Sequence, residues 1–243
     1  MSGRLDRHAG GAQEAVRYQA IRRRLPAWLR RRLLHFEAAT EEAVARFAAG
    51  LPEGAWVLDA GAGEGAYARW FAGRRYVGVD LAVGEPEWDY SRLDVIADLA
   101  ALPFSGGCFD ACLNVVTLEH LPEPAQALRE MGRVLRPGAK LLLVAPQDWE
   151  IHQAPHDYFR FTRYGLRRLL EGAGFRPVQL EEVGGFFRLL ARRLLNALQF
   201  FPGAWWVAAA LLLAPPALLL PWLDRLDRER NFTLGYICTA EKL

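Results

Sequence analysis

The sequence predicts an α/β protein in which a parallel sheet is covered by helices on both faces. Short apolar runs alternate with helical patterns through the middle of the chain, as in folds built from βαβ units. The first run leads into a loop with glycines at alternate positions, Gly61, Gly63 and Gly65. The second run ends in an acid, Asp80, about twenty residues after the end of the first. A strand, a tight glycine turn and a helix start together are typical of a nucleotide-type site.

The charge is spread unevenly along the 243 residues, although the net charge is only +2. Residues 1–50 hold ten Arg and five acids, and residues 184–230 hold six Arg and three acids, which gives +5 and +3. The remainder therefore carries −6. Two basic and partly apolar regions flank an acidic body, which indicates contact with an anionic surface, either lipid headgroups or nucleic acid.

The cysteines and the N-terminus indicate the compartment. Cys108, Cys112 and Cys238 form no metal-ligand spacing and no even framework, so a reducing compartment is the simplest interpretation. Residues 1–11 contain charges and glycines without an apolar core, which is not the pattern of a signal peptide. We expect residues 1–12 to be disordered.

A helical pattern runs over residues 14–49 and is interrupted at Pro26. Its apolar residues recur at spacings of three and four, and six arginines crowd the same segment: Arg22, Arg23, Arg24, Arg30, Arg31 and Arg32. This pattern fits a basic amphipathic helix lying on an anionic membrane, and equally a solvated helix covering one edge of the α/β body. A second helix is expected near residues 40–48, before a turn at 51–54.

The α/β units follow in regular order. Strands are expected at 56–58, 76–80, 93–98, 109–116, 140–145, 177–182 and 232–239. Helices are expected from Glu64 onward, carrying Tyr67, Trp70 and Phe71, and at 122–134 and 162–173. The ends of parallel strands converge on one edge of a sheet, so Asp59 and Asp80 are expected to share a crevice.

The glycine spacing and the two acids Asp59 and Asp80 indicate which class of nucleotide-like ligand would bind. The glycine spacing differs from Gly-x-Gly-x-x-Gly, which argues against a nicotinamide dinucleotide. A carboxylate at Asp59 suits a cationic or hydroxylated ligand and would repel a pyrophosphate. Asp80 lies where a ribose-binding carboxylate is expected, and the alternative is that it caps a helix.

With these motifs in place, the chain resembles the class I S-adenosylmethionine (SAM)-dependent methyltransferases, near the group called methyltransferase type 11. The matching stretches are VLDAGAGEG at 57–65, YVGVDL at 76–81, ADLAALPF at 97–104, FDACLNVVTLEHLPEP at 109–124 and LRPGAKLLLVAP at 135–146. They cover residues 55 to about 183 and the last strand. The resemblance implies a Rossmann-like, seven-stranded, mostly parallel sheet with an antiparallel last strand, and SAM as cofactor.

The resemblance also implies roles for individual residues. The loop that cradles the methionine part of SAM corresponds to Asp59, Gly61, Gly63 and Gly65. The ribose acid corresponds to Asp80, with Leu81 beside the adenine. The adenine-holding pair corresponds to Asp98 and Leu99, while Asn114, Val115 and Glu119 line the end of the fourth strand under the sulfonium. The chain departs from the family in the short span after Asp80, where the usual helix is expected to be vestigial, and in an insertion after Glu182.

Candidates for a general base lie at His120 and in the loop after the fifth strand, with His152, His156 and Asp157 as the catalytic candidates. This loop resembles the His-Asp-Tyr-Phe-Arg-Phe-Thr element of some relatives. His156 and Asp157 fit an oriented base pair. Alternatively, Asp157 and Thr162 cap and position the following helix, with Tyr158, Phe159 and Phe161 packed beneath it. No metal is expected, because His120, His152, His156 and Asp157 show no diagnostic ligand spacing.

Three parts are expected along the chain: an N-terminal extension (1–50), a SAM-binding domain (51–183 and 231–243) and an insertion within that domain (184–230). The first half of the insertion predicts an amphipathic helix with Phe187, Leu190 and Leu194 on one face. Residues 204–223 carry no charge and are long enough to span a bilayer. Because Pro215 and Pro216 interrupt them, we expect a shallow hairpin in one leaflet, with Trp205, Trp206 and Trp222 at the interface. A full span, a lid and a dimer contact are the alternatives.

The sequence therefore predicts a SAM-dependent methyltransferase acting on a small, lipophilic acceptor at the membrane face. It is expected in the cytoplasm, peripheral on the inner face of the membrane through residues 186–229. The alternatives are a membrane-attached SAM-binding scaffold without transfer, and an RNA methyltransferase that uses the arginine-rich N-terminus. Nucleic acid is disfavoured because the insertion is so apolar. The sequence predicts neither the acceptor atom nor the oligomeric state.

Overall fold

The computed structural model describes residues 26–243. Two helices open this part of the chain, α1 (Ala27–Leu33) and α2 (His35–Ala49). They agree with the helical pattern expected there, although one helix covers the whole of 35–49. The expected disorder at 1–12 and the helical pattern before Pro26 lie outside the described residues.

A seven-stranded mixed sheet forms the centre of the molecule. Its strands, in chain order, are β1 (Trp56–Ala60), β2 (Arg75–Asp80), β3 (Val95–Ile96), β4 (Phe109–Val115), β5 (Leu135–Pro146), β6 (Phe175–Val183) and β7 (Gly235–Lys242). The spatial order is β3-β2-β1-β4-β5-β7-β6, and β7 runs antiparallel to both of its neighbours. The predicted Rossmann-like sheet with an antiparallel last strand is confirmed.

The register places four strand ends at one edge of this sheet. Ala60 pairs with Val79, and Val115 pairs with Val144, in parallel ladders. The loops that follow β1, β2, β4 and β5 therefore emerge side by side, as they do in open α/β sheets. We call this side the carboxyl edge.

Several elements are shorter than expected. The helix expected from Glu64 is only a 3₁₀ turn, Ala68–Phe71, because the backbone is still turning through positive φ at Gly65. The third strand keeps only two residues. The vestigial helix after Asp80 is confirmed as a 3₁₀ turn, Tyr90–Arg92. A further 3₁₀ turn, Leu118–His120, follows β4.

Helices cover both faces of the sheet and define two hydrophobic clusters. On one face, α3 (Pro124–Val134) and α4 (Arg163–Gly172) bury residues such as Leu128 and Leu166 against Leu141. On the other, α2 buries Phe36 and Val44 against the opposite side of the strands. Thr162 caps α4 by accepting a hydrogen bond from the Gly165 amide at 3.1 Å, as expected.

The insertion folds as two helices packed against each other, α5 (Phe186–Asn196) and α6 (Ala204–Leu219). The 3₁₀ turns Ala197–Phe200 and Leu220–Leu226 follow them. The expectation that Pro215 and Pro216 would break residues 204–223 into a hairpin is wrong, because the helix continues through both prolines. Each proline removes an amide donor, but both lie at exposed positions where the rings meet little packed structure.

By length and composition, Ala204–Leu226 could cross a membrane. This helical stretch has 23 residues; its most apolar window of 18 residues has a mean hydropathy of 1.8, and only 17% of that window is buried. A helix that is apolar all round is normally buried in a core or in lipid. Most of the apolar surface of α6 is nevertheless exposed.

The end of the insertion is tied back to its beginning by Asp224. This buried carboxylate accepts hydrogen bonds from the amides of Gly185 (3.0 Å) and Arg188 (3.1 Å), at the start of α5. It also forms ion pairs with the Arg188 and Arg230 side chains at 3.2 and 2.9 Å. Both ends of the insertion are thus fixed beside β6.

Candidate functional site

The glycine loop after β1 lies against the loop after β4. Gly61 has φ +95°, and a Cβ atom at this position would lie 2.2 Å from Thr117 Cγ2, a distance that no packed atom pair tolerates. The Thr117 hydroxyl donates to the carbonyl oxygens of Val115 and Gly61 at 3.1 and 3.3 Å. Glycine at position 61 is therefore required both by backbone conformation and by space.

Asp59 is buried beneath this loop. Its Oδ2 accepts a hydrogen bond from the Tyr76 hydroxyl at 2.6 Å, whereas its Oδ1 has no donor within the described residues. Burial, together with the nearby charge of Asp80, raises the pKa of Asp59 to about 7. A buried acceptor of this kind suits a cationic or hydrogen-bond-donating ligand group.

Asp80 joins the glycine loop to the end of β2. Its Oδ2 accepts from the Gly63 amide and its Oδ1 from the Ala82 amide, both at 2.9 Å. A carboxylate offers about four lone-pair positions, so two remain for the hydroxyl groups of a bound ligand. Leu81 is half exposed beside it. The Asp80 carboxylate thus contacts the glycine loop that follows β1, the strand that contains Asp59.

An aromatic residue covers the same loop. The Trp88 ring lies 3.3 Å from the position that a Cβ atom on Gly63 would occupy. Tyr90 accepts a hydrogen bond from the Gly84 amide at 2.7 Å and holds the segment after β2 in this place. A ligand on the glycine loop would meet the Trp88 ring.

The side chain of Asp98 lies in solvent and the side chain of Leu99 lies in the hydrophobic core. Asp98 is exposed, and its carboxylate accepts from the Ala100 amide at 2.8 Å. Leu99 is buried in the main hydrophobic cluster, with only 3% of its surface exposed. At position 99, therefore, the main chain rather than the side chain is available to a ligand.

Asn114 fastens β4 to β1 at the carboxyl edge. Its Nδ2 donates to the Ala60 carbonyl oxygen at 2.8 Å, and its buried Oδ1 has no donor within the described residues. The two groups Asp59 and Asn114 thus each present one unsatisfied oxygen under the glycine loop. Buried polar atoms without a partner are uncommon, and each needs an explanation such as a bound water, ion or ligand group.

A second cluster lies at the same edge and contains Glu119, His120 and His152. The Nε2 atoms of the two histidines are 3.1 Å apart. A Glu119 Oε1 atom lies 3.7 Å from His120 Nε2 and 4.0 Å from His152 Nε2. Glu119 is fully buried, and burial raises its pKa to about 8. The structure thus places Glu119 with the histidines, a contact that the sequence reasoning did not foresee.

The expected His156–Asp157 base pair is not formed. His156 Nδ1 lies 3.1 Å from the Tyr158 hydroxyl, while Asp157 forms two hydrogen bonds with Arg160, at 2.6 and 2.8 Å, and accepts from the His152 amide at 2.9 Å. Although burial raises it, these hydrogen bonds lower the pKa of Asp157 to about 2. Asp157 is therefore a fixed anion that positions the His152 loop, and it does not cap α4.

Sequence reasoning missed four residues that build the site: Tyr76, Trp88, Thr117 and Arg160. The ion pair between Asp157 and Arg160 could have been predicted from the sequence, because opposite charges three residues apart in a loop readily contact each other. Tyr76, Trp88 and Thr117 contact residues 17 to 56 positions away, at the distances given above. Their contacts depend on how the strand ends align, which the sequence does not show.

A cleft of about 600 Å³ lies elsewhere, beside the insertion. Its lining includes His35, Arg188, Trp222 and Arg225. Burial lowers the pKa of His35 to about 4, so this histidine is neutral near pH 7. None of the lining residues belongs to the glycine loop or to the histidine cluster. This cleft is therefore separate from the carboxyl edge.

Comparison with known proteins gives a family for the same region. Residues 58–143 match the family described as a methyltransferase domain. A probable S-adenosylmethionine-dependent methyltransferase of Mycolicibacterium smegmatis is 34% identical over 143 residues, which cover 54% of each chain. Other mycobacterial relatives are matched over 39% of their length. The chain thus spans about half or less of the curated relatives it matches.

Solved structures agree in fold. The [4+2]-cyclase SpnF has a TM-score of 0.54 at 24% identity, covering 84% of this chain and 80% of its own. A Burkholderia thailandensis 1,6-didemethyltoxoflavin-N1-methyltransferase, solved with S-adenosylhomocysteine, has a TM-score of 0.51 at 23% identity, covering 100% and 93%. At these identities the likeness shows the fold alone.

Proposed function

We propose that the protein binds SAM and transfers its methyl group to a small acceptor, because residues 58–143 match the methyltransferase-domain family. The observation that carries the proposal is the arrangement of unused acceptors at the carboxyl edge. Asp80 has free lone pairs, and Asp59 and Asn114 each bury an oxygen without a donor. These groups fit a ligand that has two ribose hydroxyls and an ammonium group.

Different residues of the carboxyl edge would bind different parts of the cofactor. The backbone of Gly61 to Gly65 would lie against the methionine part, where side chains would collide. Asp80 would accept from the ribose hydroxyls, and the exposed Leu81 and the Asp98–Leu99 main chain would face the adenine. Trp88 would pack on the ligand from the solvent side, because it already covers Gly63. Asn114 would lie under the reacting centre at the end of β4.

The bound cofactor supplies an activated methyl group on a sulfonium, which loses its charge on transfer. The protein's contribution is chiefly alignment of the two reactants, which in well-ordered systems supplies about 7–11 kcal/mol. A base is needed only where the acceptor atom starts protonated. The low pKa of Asp157 makes this residue a poor base.

The acceptor is proposed to be lipophilic and to be met at the membrane surface. The junction of α5 and α6, here called the insertion tip and defined as residues 200–207, exposes Phe200, Phe201, Trp205, Trp206 and Val207. Phe200 and Trp205 are 74% and 72% exposed. No charged residue occurs between Arg193 and Asp224. Such a surface fits the boundary between headgroups and acyl chains.

The charges of the insertion lie behind this tip. Arg192 pairs with Glu37 and Glu150 at 3.2 Å, and Arg193 pairs with Asp148 at 2.6 Å. These ion pairs join α5 to the loop that carries His152. A tip held in lipid would therefore fix the His152 loop near the membrane surface. We propose that this surface is the inner face of the cytoplasmic membrane.

Metabolite analysis tests transfer. Lipids and small metabolites from a deletion strain are compared by mass spectrometry with those from strains carrying the wild-type gene or Asp80→Ala. We expect one compound to gain a methyl group only with the wild type. A SAM-binding scaffold without transfer predicts identical profiles in all three strains, and methylated RNA as the sole product would favour the nucleic-acid alternative.

Vesicle sedimentation tests the membrane contact separately. Phe200→Ser/Trp205→Ser/Trp206→Ser removes exposed apolar side chains of the tip, and Tyr164→Ser/Val178→Ser removes exposed ones from α4 and β6. We expect only the tip variant to lose binding to anionic phospholipid vesicles. Equal sedimentation of the tip variant, the control variant and the wild type would exclude this mode of attachment.

A further inference from the structure

The cluster of Glu119, His120 and His152 has a geometry that the methyl-transfer proposal does not require. Glu119 and His120 lie on the 3₁₀ turn after β4, and His152 lies in the loop after β5. Their three ligand atoms, one from each side chain, lie within 4.8 Å of one another. His120 and His152 are 32 positions apart in the chain and meet because β4 and β5 end side by side.

The hydrogen bonds on the far side of each ring fix the tautomers. His120 Nδ1 lies 2.6 Å from the His156 carbonyl oxygen, and His152 Nδ1 lies 3.1 Å from the Glu150 carbonyl oxygen. A carbonyl oxygen only accepts, so each Nδ1 must carry the hydrogen. With the hydrogen on Nδ1, each Nε2 atom is left with a lone pair, and the two Nε2 atoms are 3.1 Å apart.

Two lone pairs this close repel unless a positive species lies between them. A shared proton would satisfy the two nitrogen atoms but would leave Glu119 unexplained. Both carboxylate oxygens of Glu119 are buried and lack a hydrogen-bond donor within the described residues. Its Oε1 is directed at the same point, at 3.7 and 4.0 Å from the two Nε2 atoms. A cation that binds all three atoms accounts for the whole arrangement.

We propose that Glu119, His120 and His152 bind a divalent transition-metal ion, with Zn²⁺ as the best fit. Imidazole nitrogen with one carboxylate oxygen is a typical ligand set for zinc, and Mg²⁺ or Ca²⁺ would require oxygen ligands. Two imidazole nitrogens at about 2.0–2.1 Å from a tetrahedral ion lie about 3.3 Å apart, close to the observed 3.1 Å. A small rotation of the Glu119 side chain brings its oxygen into range.

The surroundings fit a metal site as well. The carbonyls of Glu150 and His156 orient the two rings, as outer-shell partners of metal-binding histidines do. Asp157 lies 3.6 Å from His152 Nδ1 and adds negative charge, which Arg160 holds in place. With three protein ligands, a tetrahedral ion keeps a fourth position for water or for an acceptor atom. The site would also bind the β4 turn to the β5 loop.

The test uses full-length protein with any purification tag removed, stripped with a chelator and titrated calorimetrically with Zn²⁺. Wild type is expected to bind one ion per chain, and Co²⁺ in its place should give the visible absorption of a tetrahedral centre. Glu119→Gln and His152→Ala should each weaken binding at least about 100-fold. His156→Ala is the matched control, because this residue uses only its carbonyl toward the cluster, and it should bind like wild type.

Two results would overturn the proposal. One is a wild-type protein that binds no Zn²⁺ in the calorimeter and gives no Co²⁺ spectrum. The other is equal binding by His152→Ala, Glu119→Gln and His156→Ala. Thermal melting without metal identifies folding defects, and because Glu119→Gln keeps the shape of the side chain, it supplies a folded variant if His152→Ala does not.

Discussion

The Asp80 carboxylate accepts a hydrogen bond from the Gly63 amide at 2.9 Å. The acid at the end of β2 and the glycine loop after β1 are therefore one structural unit before any ligand binds. A ligand that replaces or shares these hydrogen bonds is recognised by the backbone and by the acid together.

Replacing Asp80 tests this unit. Within the described residues, Asp80 is the only side chain whose carboxylate accepts a hydrogen bond from the backbone of the glycine loop, and Asp80→Ala removes it. Hydrogen bonds to charged groups contribute about 1.5–3 kcal/mol each. SAM affinity, measured calorimetrically, is expected to fall by at least about tenfold. Asp110→Ala, which removes an acid from the amino-terminal end of β4, should bind like wild type.

Substitution of Gly61 tests the close approach to Thr117. Gly61→Ala places a Cβ atom 2.2 Å from Thr117 Cγ2 and puts a non-glycine residue at φ +95°. We expect a loss of about 1–3 kcal/mol in the free energy of unfolding, with weaker SAM binding. Gly107→Ala is the control, because φ is +65° there but no atom lies within 4 Å of its Cβ position. If both variants melt at the same temperature, the packing argument is wrong.

The raised pKa of Asp59 predicts a pH dependence of stability. The folded protein holds a proton on Asp59 up to a pKa of about 7, while the unfolded chain releases it near its ordinary value of about 3.9. Between these values the folded state binds more protons, so this contribution is full at low pH and is lost as the pH rises toward 7 and above. By the size of the shift, the loss is at most about 4 kcal/mol.

Asp59→Asn isolates this contribution. The amide keeps the acceptor for the Tyr76 hydroxyl but cannot ionise. Denaturant unfolding at several pH values should show less loss of stability between about pH 4 and 8 in the variant than in wild type. Glu119, with a pKa of about 8, continues to titrate in both proteins and cancels in the comparison. Parallel pH profiles would show that Asp59 is charged in the folded protein.

Asp224 is predicted to hold the insertion in place. Asp224→Ala leaves the Arg188 and Arg230 side chains without their buried partner and exposes the amides at the start of α5. Breaking a buried ion pair on one side costs about 3–5 kcal/mol. Limited proteolysis should then cleave residues 184–230 faster than in wild type. Asp227→Ala, which removes a single amide contact at Phe186 and one at Arg230, should have a smaller effect.

The local motifs predicted the sheet and the part of the site formed by the glycine loop and Asp80. The glycine loop and Asp80 could be placed because each is fixed by the strand directly before it, and the antiparallel last strand followed from the family resemblance. The family resemblance implied a cofactor role for Glu119, at the end of β4. Its contact with His152 could not be predicted, because it depends on the alignment of two loops that are joined through thirty residues of helix and strand.

The insertion shows the opposite failure. Pro215 and Pro216 predict a break, since proline removes amide donors and crowds the preceding turn. The helix nevertheless continues through both prolines, which lie at exposed positions. The return of Asp224 to the start of α5 is a long-range contact between residues 39 positions apart, and no local pattern indicates it.

Binding of SAM to the purified protein tests the central claim most directly, since it does not depend on knowing the acceptor. Calorimetry with the full-length chain is expected to show one SAM per chain, competition by S-adenosylhomocysteine, and loss of at least about tenfold in affinity in Asp80→Ala. A folded wild-type protein that binds neither compound, or that binds SAM as tightly after Asp80→Ala as before, would contradict the account.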